Sequence, residues 1–375
     1  MSSTIDLAMQ LISRPSVSPV DGGCQEIIAS RLEPLGFHIE RLPFGNVTNL
    51  WARHGTESPL FCFAGHTDVV PTGPLDLWHS DPFRPEIRNG KLYGRGAADM
   101  KGGVAAMLIA AEAFIAANPN HKGSIAFLIT SDEEALAVDG TVKVMDMLNA
   151  RNEKIDWCLV GEPTCNHQLG DTIKNGRRGS LSGRLQVLGK QGHIAYPQLA
   201  KNPLHACVET LSKLCAETWD HGNEYFPPTS FQVSNLQMGA GVDNVIPAQL
   251  LAWFNFRFST ALTVETIQRR FASILDTGNF EYKLQWVMPH AQPYLTEPGT
   301  LVNATLQAIR EITGLNAEIS TSGGTSDGRF VATSGAQVLE LGPINSTIHQ
   351  VDECVGVDEL EILTKIYKKI LQIIF

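Results

Sequence analysis

The chain has 375 residues, enough for two domains of ordinary size or one large domain with its own hydrophobic core. Hydrophobic residues make up 43% of it and charged residues 18%, a composition typical of folded globular proteins and not of disordered or fibrous ones. Acidic residues outnumber basic ones by 39 to 29, and the formal net charge of −10 argues against nucleic acid or an anionic membrane as a partner.

The N-terminal segment, the longest apolar run and the cysteines bear on the protein's location. The opening residues MSSTIDLAMQLISRPS have no basic region and no small-residue cleavage site, so we predict no signal peptide. The longest apolar run, residues 104–111, is far shorter than the roughly 20 residues that cross a bilayer. The seven cysteines form no CxxC pair, which argues against a disulfide framework and against a thiolate zinc site. We therefore expect a soluble protein of the cytoplasm.

The first 170 residues alternate helical patterns with short apolar runs. Thr4 is a candidate N-cap for a helix that Pro15 ends, and a second amphipathic helix is predicted over 24–35. Near-continuous apolar runs are typical of strands buried on both faces, and they occur at 60–65, 124–130 and 156–161. The apolar stretch 103–118 predicts a buried helix between the first two strands. These elements predict an α/β sandwich.

From Gly179 the pattern changes to half-buried strands, in which apolar and polar residues alternate. The predicted order is strand 180–188, helix 203–217, strand 230–236, strand 250–258, helix 263–276 and strand 280–287. This β-α-β-β-α-β order is that of a ferredoxin-like unit with an antiparallel sheet. The first pattern then resumes with helix 300–313, a Gly/Ser loop at 322–328, strand 336–341 and helix 357–373. We therefore predict a domain of residues 179–292 inserted into a larger domain formed by 1–178 and 293–375.

Chemically active residues follow each of the three buried strands directly. They are His66, Asp68, Asp132, Glu133, Glu134 and Glu162. In open α/β sheets the ligand site lies beyond the carboxyl ends of the strands, so these side chains are expected to converge there. Asp99, in GRGAADMKGG, precedes a predicted helix, where free N–H groups also favour a carboxylate.

Taken singly, each of these residues has an ordinary explanation as a turn histidine, a helix cap or a solvated acid. Taken together, several carboxylates at one sheet edge repel one another unless a cation neutralises them. Imidazole and carboxylate ligands without thiolate suit zinc, cobalt or manganese. Two ions that share a carboxylate are a recurrent arrangement in hydrolytic enzymes. The sequence therefore points to a metal site at this edge.

Seven motifs in order along the chain carry a family resemblance. They are GHTDVVP (65–71), GRGAADMKGG (94–103), SDEE (131–134), GEPT (161–164), GKQGHIAYP (189–197), SGGTSDGRF (322–330) and NSTIHQVDE (345–353). This set resembles the M20 family of dinuclear metallo-aminoacylases and peptidases. The resemblance implies a metallo-exopeptidase-like catalytic α/β sandwich with an inserted ferredoxin-like dimerisation domain. It also implies hydrolysis of an amide in a small anionic substrate, with two divalent ions per subunit; zinc is favoured, and cobalt or manganese are alternatives.

The same resemblance assigns the metal ligands. It implies that Asp99 bridges the two ions, with His66 and Glu162 on one ion and Glu134 and His349 on the other. The shared carboxylate would then hold both ions in one site.

Two acidic residues beside these ligands receive catalytic roles from the resemblance. It implies that Asp68 orients His66. It implies that Glu133 is the general base, which takes a proton from the attacking water and later delivers it to the departing amine. We expect the side chains of Glu133 and Glu134 to point in opposite directions, because neighbours in an extended segment do so.

The resemblance also gives the inserted domain a part in catalysis. The family counterpart of His193 reaches the active site of the other subunit and stabilises the tetrahedral oxyanion. Asn244 matches another residue contributed across that interface. The open edge of the inserted sheet is the expected pairing surface, so we predict a homodimer.

A substrate with several carboxylates needs positively charged and polar groups to hold it. The candidates that match the family are Arg177, Arg178, Ser180, Tyr196, Asn244, Arg257, Gly324, Thr325 and Asn345. Arginine suits this role because its planar fork binds a carboxylate through two hydrogen bonds. Arg257 interrupts an aromatic strand, where an unpaired charge is unfavourable. The sequence does not choose between Arg177 and Arg178.

Three alternatives remain open at this point. One is a different activity within the family, that of an acetylornithine-type deacetylase or a dipeptidase. The second is a non-catalytic protein that binds metal or an anionic metabolite on the same fold, and the third is a structural or scaffold protein without bound metal. Glu133 argues against the second alternative, because a protein that only binds metal has no need of a free base beside its ligands.

Overall fold

The computed structural model describes residues 3–239, 241–288 and 290–375. Its contacts divide the chain into two compact units. The first unit contains Met1–Gly176, Leu295–Ser320 and Ser326–Phe375, and the second contains Arg177–Tyr294 and Thr321–Thr325. The predicted division lay at 178/179 and 292/293, and the roles given to the two domains stay predictions.

The first unit is built on a mixed eight-stranded sheet. Its strands are β1 (His38–Arg41), β2 (Asn49–His54), β3 (Leu60–His66), β4 (Ser124–Thr130), β5 (Trp157–Val160), β6 (Thr172–Lys174), β11 (Glu318–Ser320) and β12 (Gln337–Glu340). Their spatial order is β1-β2-β4-β3-β5-β12-β6-β11. The central strands β4, β3 and β5 run parallel to one another. Their carboxyl ends therefore lie side by side at one edge of the sheet.

Helices cover this sheet and supply the rest of its core. They are α1 (Ser3–Ile12), α2 (Cys24–Leu32), α3 (Gly102–Ala117), α4 (Thr141–Ala150), α7 (Thr300–Thr313), α8 (Gly328–Ala332) and α9 (Val357–Ile374). Helix α3 contacts α1, α9 and strand β3, and every residue from 102 to 111 is buried. A helix that is apolar on all sides must be enclosed in this way. The predicted buried helix is confirmed.

Helix α3 starts unusually close to the turn that follows β5. A Cβ atom added at Gly103 would lie only 2.5 Å from the carbonyl oxygen of Gly161. Glycine permits this approach of backbone to backbone, which any larger residue would block. The close packing fixes the segment before α3, which contains Asp99, against the segment that leads into Glu162.

The second unit is a four-stranded antiparallel sheet with two helices. Its elements are β7 (Gly179–Leu188), α5 (Pro203–Ala216), β8 (Ser230–Met238), β9 (Gln249–Phe258), α6 (Val264–Leu275) and β10 (Glu281–Trp286). The spatial order β8-β9-β7-β10 is that of the predicted ferredoxin-like unit. Phe254, Phe256 and Phe258 alternate along β9 and point into a core that includes Phe271 of α6. The alternation explains why one face of this sheet is apolar.

Strand β8 lies at the edge of this sheet and carries exposed apolar side chains. Val233, Leu236 and Met238 are 37%, 50% and 40% exposed. An edge strand of this kind presents unpaired backbone groups beside apolar surface, which makes it a surface suited to pairing.

The fold class is confirmed, with differences in detail. Thr4 does not cap α1, because the helix already includes Ser3; the Thr4 hydroxyl lies 3.0 Å from that of Thr364. Asp99 does not cap α3 either, because that helix begins at Gly102 and has no side-chain cap. Strands β1, β2, β6 and β11 were not predicted, since they are short and lack a long apolar run. In the described part of the chain, the helices are all too short or too polar to cross a bilayer.

Candidate active site

The carboxyl ends of β4, β3 and β5 bring the predicted acids and histidine together in the first unit. Strand β3 ends at His66, β4 is followed by the segment that contains Glu133 and Glu134, and β5 is followed by Glu162. The three strands are adjacent and parallel, so the chain leaves the sheet at the same edge after each of them. The predicted convergence is confirmed for His66, Glu133, Glu134 and Glu162. The carboxylate of Asp132 instead accepts hydrogen bonds from the backbone N–H groups of Val138 and Asp139.

Asp99 lies between two histidines and faces each with a different oxygen. Its Oδ1 atom is 3.3 Å from His66 Nε2, and its Oδ2 atom is 3.3 Å from His349 Nε2. His66 Nε2 is also 3.6 Å from Glu162 Oε1, and His349 Nε2 is 3.0 Å from Glu134 Oε1. Two groups of three side chains result, each with its donor atoms within 4.8 Å, and Asp99 belongs to both groups.

The donor set fits two divalent cations. His66 Nδ1 lies 2.8 Å from the backbone oxygen of Asp68, so Nδ1 carries the proton and the Nε2 lone pair faces the carboxylates. Both His66 Nε2 and Asp99 Oδ1 are buried and lack a hydrogen-bond partner among the described residues. A lone pair that faces carboxylate oxygens is unfavourable unless a cation lies between them. The cluster is therefore chemically incomplete without positive charge.

The pKa values of the residues in the cluster also indicate that the site needs positive charge. Burial would lower the pKa of His66, but the carboxylate of Asp99, 3.3 Å away, and the charge of Glu162 raise it well above its usual range. Hydrogen bonds to Asp99 and Glu134 raise the pKa of His349 to about 10. Burial would raise the pKa of Asp99, but the two histidines hold it well below its usual range. Burial raises the pKa of Glu162, and the charge of Asp99 adds to this rise.

Asp68 holds two parts of the cluster through different atoms. Its backbone carbonyl orients His66, whereas its carboxylate accepts hydrogen bonds from the backbone N–H groups of Glu133 (3.3 Å) and Glu134 (3.1 Å). The hydroxyl of Ser18 donates to the same carboxylate at 2.5 Å. The resemblance implied only the contact with His66. The structure adds the hydrogen bonds between the Asp68 carboxylate and the loop after β4.

The expected opposite orientation of Glu133 and Glu134 is wrong. The segment bends after β4 instead of continuing as a strand, and the carboxylates of both residues lie in one group with His66. Burial raises the pKa of Glu133 well above its usual range, and the charge of His66 opposes this rise. Glu134 approaches His349, whereas Glu133 makes no comparable contact with a second histidine in the described chain.

Three buried charged residues near the cluster were missed in the sequence. Arg95 and Glu353 form an ion pair at 2.7 Å, and both side chains are almost fully buried. Asp327 is buried as well, and burial raises its pKa to about 6. All three lie inside the motifs that carry the family resemblance, but none is a ligand in the implied set. Their position in these motifs was the available signal.

His193 and Asn244 lie in neighbouring segments of the second unit. His193 pairs with Val245 across a two-residue ladder, and the backbone N–H of Ile194 donates to the carbonyl of Asn244 at 3.1 Å. The imidazole of His193 is exposed, and its Nδ1 accepts a hydrogen bond from the backbone of Ala195 at 3.1 Å. A proton on Nδ1 is excluded by this bond, so Nε2 carries the proton of the neutral ring.

The two adjacent arginines of the second unit differ in their surroundings. Arg177 is buried and donates to the backbone carbonyl of Ser322 at 3.0 Å. Arg178 and Arg257 form no ion pair within the described residues, and Nε of Arg178 is buried without a hydrogen-bond partner there. Burial lowers the pKa of Arg257, and the charge of Arg178 adds to this effect. The structure therefore favours Arg178 over Arg177 as an available cation.

The remaining candidates for substrate contacts are distributed over both units. Ser180 lies opposite Arg257 in the β7–β9 ladder and accepts a hydrogen bond from Asn255. Tyr196 is exposed, with its ring centre 5.7 Å from that of His193. Gly324 and Thr325 belong to the segment that groups with the second unit, whereas Asn345 belongs to the first. Their roles stay predictions.

The fold and the cluster together define a metallohydrolase-type site, and comparison with protein families agrees. The chain belongs to peptidase family M20/M25/M40, whose model matches residues 62–373.

Individual relatives carry more specific names than the family does. The chain is 61% identical over 371 residues to the succinyl-diaminopimelate desuccinylase of Acinetobacter baumannii (strain ACICU), which covers 99% of this chain and 98% of the relative. It is 58% identical over 374 residues to the protein of the same name from Nitrosococcus oceani, with 100% and 99% covered. Among solved structures, an M20 family metallo-carboxypeptidase from Sulfolobus solfataricus superposes with a TM-score of 0.81 at 17% identity, covering 100% of this chain and 99% of that one. That likeness shows the fold alone.

The contacts of Asp68 lead to a prediction. We expect Asp68→Asn to weaken divalent metal binding by about 10- to 100-fold, because an amide nitrogen would face backbone N–H groups that now donate to a carboxylate. Competition with a chromogenic chelator measures this affinity.

Asp171→Asn is the matched control for this experiment. Asp171, like Asp68, accepts hydrogen bonds from backbone N–H groups; its three donors are Asn166, His167 and Gln168, and none of them belongs to the cluster. We expect this control to reduce the free energy of unfolding by about 1–3 kcal/mol without changing metal affinity. Equal metal affinity in Asp68→Asn and the wild-type chain would contradict the role given to Asp68.

Proposed function

We propose that this protein is a metal-dependent amidohydrolase that cleaves N-succinyl-LL-2,6-diaminopimelate to succinate and LL-2,6-diaminopimelate, a step of lysine and diaminopimelate biosynthesis. The observation that carries this proposal is the 61% identity to a succinyl-diaminopimelate desuccinylase over nearly the whole of both chains. The cluster around Asp99 supports it, because candidate metal ligands and the proposed base Glu133 lie together at one sheet edge.

We propose two divalent ions, zinc in preference to cobalt or manganese, held by the five implied ligands. His66 and Glu162 would hold one ion, Glu134 and His349 the other, and Asp99 both, in agreement with the two groups of donor atoms. When bound, the ions lower the pKa of a water molecule and polarise the amide carbonyl. The choice of zinc rests on ligand type alone.

Glu133 is the residue proposed to move the proton. It takes a proton from the attacking water as the C–O bond forms, and it gives that proton to the amine nitrogen as the C–N bond breaks. Asp68 holds the backbone of Glu133 through a 3.3 Å hydrogen bond, so the carboxylate stays in place through both transfers. Neither proton transfer requires Glu133 to leave the cluster.

The second unit is proposed to supply substrate contacts. Arg178 and Arg257 lie near each other without an acidic partner among the described residues, and they would bind a substrate carboxylate. Ser180, opposite Arg257, offers a hydroxyl to the same group. Two unpaired arginines repel each other, and a bound anion removes that repulsion.

We also propose a homodimer formed through the second unit, in which His193 and Asn244 act in the partner's active site. The exposed apolar residues of edge strand β8 support this proposal. The proton on Nε2 of His193 suits a donor to a developing oxyanion. The first unit would then be the catalytic domain and the second unit the dimerisation domain.

The protein is further proposed to work in the cytoplasm. Its seven cysteines, an odd number without a CxxC pair, suit a reducing compartment. The proposed reaction, a biosynthetic step on a small metabolite, agrees with that location.

The first prediction from the proposed function concerns substrate choice. Zinc-loaded protein should release succinate from N-succinyl-LL-2,6-diaminopimelate with a kcat/KM at least about tenfold above that for N-acetylornithine or a dipeptide, since those substrates carry fewer carboxylates for the arginines. Assay of the freed amine on the three substrates side by side measures this ratio. Faster turnover of either rival substrate would contradict the proposed specificity.

The second prediction concerns Glu133. Glu133→Gln should retain two metal ions per chain but lose about 10²- to 10⁴-fold in kcat, because the amide cannot accept the proton. Elemental analysis and steady-state kinetics measure the two properties. Glu153→Gln, which disrupts the Arg53–Glu153 pair at 2.9 Å outside the cluster, is the control and should keep both. Unchanged turnover in Glu133→Gln would refute this role.

The third prediction concerns the dimer. Val233→Glu combined with Met238→Glu should convert a dimer to a monomer in sedimentation velocity, because charges on β8 oppose edge pairing. Turnover should fall with the dimer, while metal content stays. Ile87→Glu, an exposed apolar residue of the first unit, is the control and should leave the dimer intact. A wild-type chain that sediments as a monomer would contradict the proposal.

A further inference from the structure

Glu353 is a buried carboxylate whose oxygens accept hydrogen bonds from four donors. Oε2 accepts from Arg95 Nη1 at 2.7 Å and from the backbone N–H of Gly96 at 3.0 Å. Oε1 accepts from the backbone N–H groups of Ala98 at 2.9 Å and Asp99 at 3.0 Å. A carboxylate has about four acceptor positions, so all of them are used. Glu353 therefore binds the backbone of the segment that carries Asp99.

Arg95 extends this contact to two further segments. Its Nη1 also donates to the backbone carbonyl of Gln350 at 3.1 Å, next to His349. Its Nη2 donates to the carbonyls of Pro71 at 3.2 Å and Thr72 at 3.4 Å, in the segment that follows β3 and His66. The Glu353–Arg95 pair thus joins three segments, and each of them supplies a proposed metal ligand.

The turn that carries His349 needs such support. His349 and Asp352 have φ values of 60° and 57°, in the left-handed region that residues with a Cβ rarely adopt. The hydroxyl of Thr347 donates to the carbonyl of Cys354 at 2.9 Å, and the backbone N–H of Gly94 donates to the carbonyl of Glu353 at 3.0 Å. Unfavourable backbone conformations persist only where surrounding contacts hold them.

We propose that Glu353, together with Arg95, is a positioning residue that sets the placement of Asp99 relative to His349 and thereby the affinity of the site for both metal ions. This inference rests on the proposed function. Glu353 acts through backbone N–H groups and the neighbouring turn, since it belongs to none of the three groups of candidate ligands found among the described residues. A buried ion pair is by itself weak evidence that a contact stabilises the fold. Four donors that converge on one side chain, however, require a group that only accepts hydrogen bonds, and a carboxylate is such a group.

The test compares metal binding in Glu353→Gln with the wild-type chain. Glutamine has the same shape, but its NH₂ group must face either Arg95 and Gly96 or the N–H groups of Ala98 and Asp99. In both orientations a hydrogen-bond donor faces other donors, so two of the present hydrogen bonds are lost. We expect affinity for zinc to fall about 10- to 100-fold at both sites, measured by chelator competition. The visible absorption spectrum of the cobalt-loaded protein should change, because ligand geometry changes.

Two further variants separate positioning from general stability. Glu112→Gln removes a carboxylate that binds Arg31 through two hydrogen bonds of 2.7 Å, outside the cluster, and should keep wild-type affinity and spectrum. Glu353→Asp restores a carboxylate and should bind zinc more tightly than Glu353→Gln.

If Glu353→Gln does not fold, Arg95→Lys replaces it, because lysine keeps the charge but cannot reach Glu353, Gln350 and Pro71 together.

The outcomes are distinct. Unchanged zinc affinity and an unchanged cobalt spectrum in folded Glu353→Gln, or in folded Arg95→Lys when that variant is used, overturn the inference. Failure of the proposed function shows instead in the wild-type chain, as a lack of two bound ions or of succinate release. A wild-type chain that binds two ions while Glu353→Gln binds them more weakly supports the inference.

Discussion

The concentration of negative charge around Asp99 is the constraint on which the first unit depends. Glu162, Glu134 and Glu133 crowd the same sheet edge, and burial removes the water that would screen them. Two imidazoles face Asp99, but they do not satisfy Asp99 Oδ1 or the lone pair of His66. The need for further positive charge explains why this unit is suited to hold divalent ions rather than an organic anion.

The structure holds this unfavourable arrangement with neutral backbone groups and with one buried ion pair. Asp68 fixes the loop after β4 through two N–H groups, and Glu353 fixes the Asp99 segment through three. Each acid thus binds backbone near a proposed ligand and leaves the ligand's own oxygens free. These positioning roles explain why the site contains more acids than the five proposed ligands and the one proposed base.

The elements that sequence reasoning located correctly are those with a strong local signal. The apolar runs of β3, β4 and β5 and the apolar first ten residues of helix α3 can only be buried, and the alternation in β9 fits only a sheet with one buried face. Short strands such as β6 and β11 exist because neighbouring strands pair with them. The orientations of Glu133 and Glu134 depend on a bend that Asp68 holds, so local alternation mispredicted them.

The sequence by itself determined the order of the elements with a strong apolar pattern, the ferredoxin-like pattern of the second unit and most of the side chains that meet at the sheet edge. These follow from hydrophobic periodicity and from the rule that parallel strands end together. Only the tertiary structure decided which atom of Asp68 holds His66, which of two adjacent arginines is engaged, and that Glu353 holds the Asp99 segment. The reason is physical: each of these contacts joins residues through atoms and distances that depend on how distant segments pack, and no local pattern encodes them.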